Sequence, residues 1–243
     1  MSINNYDSKE ITKENLNTYL KEFAKVFKKL NGSKMPAEIV FVGGAAILTN
    51  YKFRRSTGDI DAIIKSSSVV KEAIEIVADK FKLPSDWLNT DFEKTKSYSS
   101  KLREVSVHYK TFSGVLDIRT IKSEYLVAMK LMAGRDYKHD LSDIVGILWE
   151  QQQKGEPISK EILKNAVITL YGNIENLPKD SIEFIERIFN DDNYEKLFLE
   201  IKEDEENTRK LLNNLTEEFP EIVNRDNISA IVKKLINIDK QKE

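Results

Sequence analysis

Residues 38–44 read EIVFVGG, and they constrain the fold more than any other stretch. A short β-branched apolar run stopped by two adjacent glycines predicts a buried strand that turns sharply at Gly43-Gly44. The following AAILTNY predicts a short helix, so the glycines stand at a strand-to-helix junction. DIDAII (59–64) reads as a second strand, with two aspartates one residue apart in an apolar run. Residues two apart on a strand face the same way, so Asp59 and Asp61 share a face. Burying a carboxylate is costly unless something compensates it.

The flanking patterns set the architecture. Residues 10–31 carry Leu16, Leu20, Phe23, Val26, Phe27 and Leu30 at helical spacing, with Gly32 as the stop. Residues 67–83 predict a second amphipathic helix, and the polar stretch 84–102 holds at most a helical turn in PSDWLNTDF. REVSVHYK (103–110) and GVLDIRT (114–120) alternate like strands around a TFSG hairpin turn. Two helices follow at 123–133 and 139–153. Beyond KGEP (154–157) strand signals stop, and helical patterns remain at 159–171, 179–189, around 194–217 and at 225–238. The acidic run EIKEDEEN (200–207) reads as a solvated helix face. The expectation is an α+β fold: a mixed sheet flanked by helices over 1–153, then a helical bundle over 154–243.

Composition narrows the chemistry. The chain has no cysteine, which excludes disulfides, thiolate nucleophiles and cysteine-held metals. With only His108 and His139, a metal would be held by carboxylates, which suits magnesium or manganese. A net charge of −2 neither favours nor disfavours nucleic acid. No window approaches the ~20 apolar residues of a membrane span, and MSINNYDSKE lacks the regions of a signal peptide. A cytoplasmic protein with no membrane association is therefore expected.

Two carboxylates on one face repel, and a divalent cation removes that repulsion. A D-x-D pair also arises by chance about once per couple of hundred residues. Gly43 and Gly44 add to the pattern, since a helix N-terminus offers backbone N–H groups to an anion and glycine permits close approach. A tight turn explains them equally. Asp117, alone among Val115, Leu116 and Ile118, completes a metal cluster if its strand lies beside DIDAII, and otherwise faces solvent. Lys130 is the only charge in YLVAMKLMAG (125–134), so it either meets an anion or snorkels to water. Arg135 closes that helix, and Asp140 and Asp143, one turn apart on the next, can hold Lys130 and Arg135 in place. Arg54 and Arg55 precede the aspartates, where a guanidinium reaches a phosphate or stays in a solvated loop.

The double glycine, the R-x-T-x-D-I-D segment ending at Asp61 and the lone Asp117 resemble the DNA polymerase beta-type nucleotidyltransferase superfamily. YLVAMKLMAGRDYKHDLSDI is similar to the lysine–arginine–aspartate region of the AbiEii abortive-infection toxin branch. The likeness covers about residues 38–150. It implies a nucleotidyltransferase-type mixed sheet and magnesium-dependent transfer of a nucleoside monophosphate from a triphosphate to an acceptor hydroxyl. Carried over by position, Asp59, Asp61 and Asp117 would hold metal, with Asp117 helping to deprotonate the acceptor. Gly43, Gly44, Arg55, Lys130 and Arg135 would bind the nucleotide. RNA or protein is the implied acceptor, with an antitoxin as partner. An antibiotic-type small-molecule transferase and a non-catalytic nucleotide- or partner-binding module are the alternatives. The sequence departs from the superfamily in its Gly43-Gly44-Ala45-Ala46 loop, which lacks a hydroxyl.

Overall fold

A computed structural model describes residues 10–31, 36–65, 68–134, 139–191 and 193–218, with 227, 228, 230, 231 and 234. The chain begins with β1 (Ile11–Thr12), α1 (Lys13–Asn31), β2 (Ala37–Phe41), α2 (Gly43–Asn50) and β3 (Ser56–Thr57). It continues through β4 (Ile60–Ile64), α3 (Ser68–Phe81), β5 (Leu88–Asn89), β6 (Ser106–Phe112) and β7 (Leu116–Ile121). Then come the helices α4 (Ser123–Ala133), α5 (Asp140–Gln153), α6 (Lys160–Tyr171), α7 (Lys179–Phe189) and α8 (Tyr194–Glu218).

The expected α+β fold is present. A five-stranded mixed sheet runs in the order β5-β4-β2-β7-β6. β2 lies at its centre, antiparallel to β4 and parallel to β7. That position explains its unbroken apolar run, since Ile39, Val40 and Phe41 are all buried. β4 instead alternates: Ile60, Ala62 and Ile64 are buried, while Asp61 and Ile63 are half-buried. The hairpin between β6 and β7 turns at Ser113 and Gly114, both with positive φ, and Val115 N–H closes it on the Phe112 carbonyl.

Several boundaries differ from the expected ones. α2 begins at Gly43 rather than Ala45, and Asp59 sits in the bend before β4. Residues 88–103 hold the short strand β5 and two 3₁₀ turns, because Trp87 and Leu88 bury against the sheet edge and fix the chain there. The helix expected over 225–238 falls largely outside the described residues.

The helices cover the sheet with apolar stripes. α1 buries Leu16, Tyr19, Leu20, Phe23 and Phe27 and packs with α3, where the Tyr19 and Phe81 rings lie 4.9 Å apart. α4 is buried from Leu126 to Met132 and packs with α5 and α6. α8 lies on α5, with Phe198 placed 5.5 Å from Phe53 and 5.7 Å from Trp149. The buried core forms one cluster reaching from Ile11 to Ile201. Among the described residues no helix is long and apolar enough to cross a membrane.

Candidate active site

The junction of β2 and α2 meets the start of β4, where Val42 N–H donates to the Asp61 carbonyl at 3.0 Å. The two glycines serve different needs there. Gly43 has φ +54, a left-handed conformation that side chains rarely adopt. A Cβ on it would lie 3.5 Å from Asp61 Oδ2, so the turn sits in contact with that carboxylate. Gly44 makes room for its neighbours: a Cβ would fall 2.6 Å from Thr57 Oγ1 and 3.2 Å from Arg54 Nη2. The position that a side chain on Gly44 would take is thus held by Thr57 and Arg54. Thr57 is placed by the antiparallel ribbon of β1 and β3, in which it pairs with Ile11.

One face of α5 positions the loop that leads into the aspartates. Asp140, Asp143, Gly146 and Glu150 recur at helical spacing. Glu150 accepts the backbone N–H groups of Lys52 at 2.6 Å and Phe53 at 2.9 Å. Gly146 receives the Phe53 ring, whose atoms would come within 2.8 Å of a Cβ. Asp143 accepts two hydrogen bonds from Arg54 Nη1, at 2.8 and 2.6 Å. Lys130, from α4, reaches Asp140 at 2.7 Å and Asp143 at 2.8 Å. The expected anion for the buried lysine is this aspartate pair. Burial pulls the Lys130 ammonium down, but Asp143 and Asp140 outweigh it against the opposing Arg54 charge, and its pKa is raised.

These groups open onto a cavity of about 260 Å³. Asp61, on β4, and Asp59, in the bend before it, both line it, along with Gly44, Thr57, Arg54, Lys130 and Asp140. His139, Glu205 and Arg209 close it from the other side. Asp59 is exposed and Asp61 half-buried, so the first is the more accessible to a large partner.

Three expected site residues stand differently. Asp117 is not with the aspartate pair. β2 separates β7 from β4, and the register puts Asp117 level with Glu38 while Phe41 is level with Ala62. The parallel run of β7 therefore leaves Asp117 about 13 Å back along the strand direction from Asp61, at ~3.3 Å per residue. It binds His108 Nδ1 at 2.8 Å and Thr111 Oγ1 at 3.2 Å instead. Among the described residues no three metal-binding side chains come together. Arg55 is exposed and does not line the cavity, because the loop turns Arg54 inward to Asp143. Arg135 lies outside the described residues.

A family model described as "Nucleotidyltransferase of unknown function (DUF6036)" matches residues 18–209. The chain belongs to this nucleotidyltransferase family. No curated protein and no solved structure matches it. The match extends through the whole cavity, including the α8 residues Glu205 and Arg209. Neither was singled out from the sequence, nor was Thr57. Glu205 lies in the acidic run expected to face solvent, yet it is buried. The signal was its spacing: Leu197, Ile201, Glu205, Thr208 and Leu212 form one buried stripe of α8.

Proposed function

We propose that the chain transfers a nucleoside monophosphate from a nucleoside triphosphate to an acceptor hydroxyl, releasing pyrophosphate. One observation carries this reading: Asp59, Asp61, the N-terminal end of α2 and the anchored cations Arg54 and Lys130 converge on one cavity. The acceptor oxygen forms a bond to the α-phosphorus, and the bond from that phosphorus to the β-phosphate oxygen breaks.

A magnesium ion fits the donor set. Asp59 and Asp61 supply two carboxylates, and this ion commonly completes its shell with substrate phosphates and water. Bound there, it would supply positive charge to the phosphates. With Asp117 away from the pair, the acceptor's proton would pass to Asp59, the more exposed of the two carboxylates, through an oxygen not held by the ion. Arg54 and Lys130 are locked by Asp143 and Asp140, so their N–H donors are positioned without reorganising. The α2 N-terminus favours negative charge at Gly43-Gly44.

The likeness to the toxin branch makes RNA or protein the proposed acceptor, with small molecules as the alternative. A second reading, a nucleotide-binding module without transfer, draws on one observation: Asp117 stands away from the pair, so the third carboxylate of the superfamily pattern is missing from the cavity.

The test uses the purified chain with magnesium and each of the four α-labelled nucleoside triphosphates. Total RNA, total protein extract and buffer alone serve as acceptors, with the double substitution Asp59→Ala, Asp61→Ala as control. Label that moves to an acceptor and is lost in the double variant supports transfer and names the acceptor class. Saturable magnesium-dependent binding without transfer to any acceptor favours the binding module.

A further inference from the structure

α8 reaches the cavity from late in the chain, and its two lining residues are in opposite states. Glu205 is spent. Its carboxylate accepts the Ser142 N–H at 3.0 Å and the Ser142 hydroxyl at 2.5 Å, and lies 3.2 Å from His139 Nδ1. Arg209 stands one helical turn further on, exposed, and among the described residues it has no ion-pair or hydrogen-bond partner. Glu followed four residues later by a cation ordinarily pairs on a helix surface. Here α5 has taken the carboxylate, which leaves the guanidinium open to a ligand.

Charge matching singles out the same residue. Arg54 and Lys130 are balanced by Asp140 and Asp143, so that buried group presents little net charge. Asp59 and Asp61 would be balanced by a divalent ion. A triphosphate brings further negative charge on its β- and γ-phosphates, and among the described residues Arg209 is the cavity-lining cation not already committed. Its planar fork suits two phosphate oxygens at once.

We propose that Arg209 binds the terminal phosphates of the nucleoside triphosphate, which makes α8 a working part of the nucleotide site. This rests on the nucleotidyl-transfer reading. The variants are expected to fold, since Arg209 is exposed and holds no partner among the described residues.

The experiment compares magnesium-dependent binding of a fluorescent nucleoside triphosphate and its monophosphate to the full chain, Arg209→Ala and Arg209→Lys. Triphosphate affinity is expected to fall about tenfold or more in Arg209→Ala, while monophosphate affinity stays within about twofold. Arg209→Lys should fall between, because the ammonium keeps the charge and loses the fork. Unchanged triphosphate binding in Arg209→Ala, or an equal loss for both nucleotides, overturns the proposal and leaves the transfer reading intact. If the unsubstituted chain binds no triphosphate, both readings fall together.

Discussion

At the scale of single residues, the cavity is defined by which carboxylates it admits. Asp59 and Asp61 are inside it, and Asp117 is engaged elsewhere with His108 and Thr111. Asp61→Ala should therefore reduce transfer by about 100-fold or more, as expected for removal of an electrostatic group acting in the transition state. Asp117→Ala should leave transfer within about threefold, since only a surface pair is lost. Equal losses in initial-rate assays of both variants would restore Asp117 to the site. Gly44 allows a separate test. A methyl group there meets Thr57 Oγ1 at 2.6 Å, so Gly44→Ala is expected to destabilise the chain by about 1–3 kcal/mol. Adding Thr57→Ala should recover part of that loss in urea denaturation, because it removes the colliding atom. A purely additive double variant would argue that Gly44 is needed for another reason.

Among the elements, α5 does most to shape the site. Its one face seats Phe53 on Gly146, ties down two backbone N–H groups through Glu150 and fixes Arg54 and Lys130 through Asp140 and Asp143. Its contacts with Lys52 and Arg54 reach 98 and 89 positions back along the chain. Asp143→Ala leaves Arg54 unpaired and Lys130 buried beside Asp140 alone. Breaking a buried pair from one side costs about 3–5 kcal/mol, so urea unfolding should show a loss of that size together with weakened nucleotide binding. A change below about 1 kcal/mol, the worth of an exposed pair, would mean that water replaces Asp143. Glu205 plays the corresponding part on α8, fixing the start of α5 through Ser142 and freeing Arg209.

For the molecule as a whole, the buried titratable groups bear on alkaline stability. Burial raises the Tyr171 phenol, and it raises Tyr51 against the opposing hydrogen bonds to Ser123 and Gln151. Lys130 is raised by its two aspartates despite its burial. Each group holds its proton more tightly folded than unfolded. Their contribution is complete below the unfolded values, about 10 for Tyr and about 10.4 for Lys, and is lost as pH climbs through the folded ones. The urea midpoint should change little on their account between about pH 7 and about pH 9 and fall above about pH 10. Tyr171→Phe should flatten that fall; an identical alkaline profile in the variant would show that Tyr171 plays no part in it.

The sequence by itself determined the elements and the local half of the site. Strand-like alternation in DIDAII marked β4 and its Asp61, and Gly43-Gly44 marked the turn, because both depend on backbone geometry within a few residues; Asp59 reaches the same cavity from the bend before the strand. The isolation of Lys130 in an apolar helix left two outcomes open, an anion or a path to water, and the structure gives it Asp140 and Asp143. Tertiary structure decided the rest. Whether Asp117 meets Asp61 depends on strand order and on the parallel register of β7, and a shift of four residues along a strand leaves no trace in the local pattern. Which of two adjacent arginines turns inward was settled by Asp143, far along the chain. Glu205 and Arg209 came to the cavity only because α8 packs on α5, a docking that brings distant residues together by burying apolar surface.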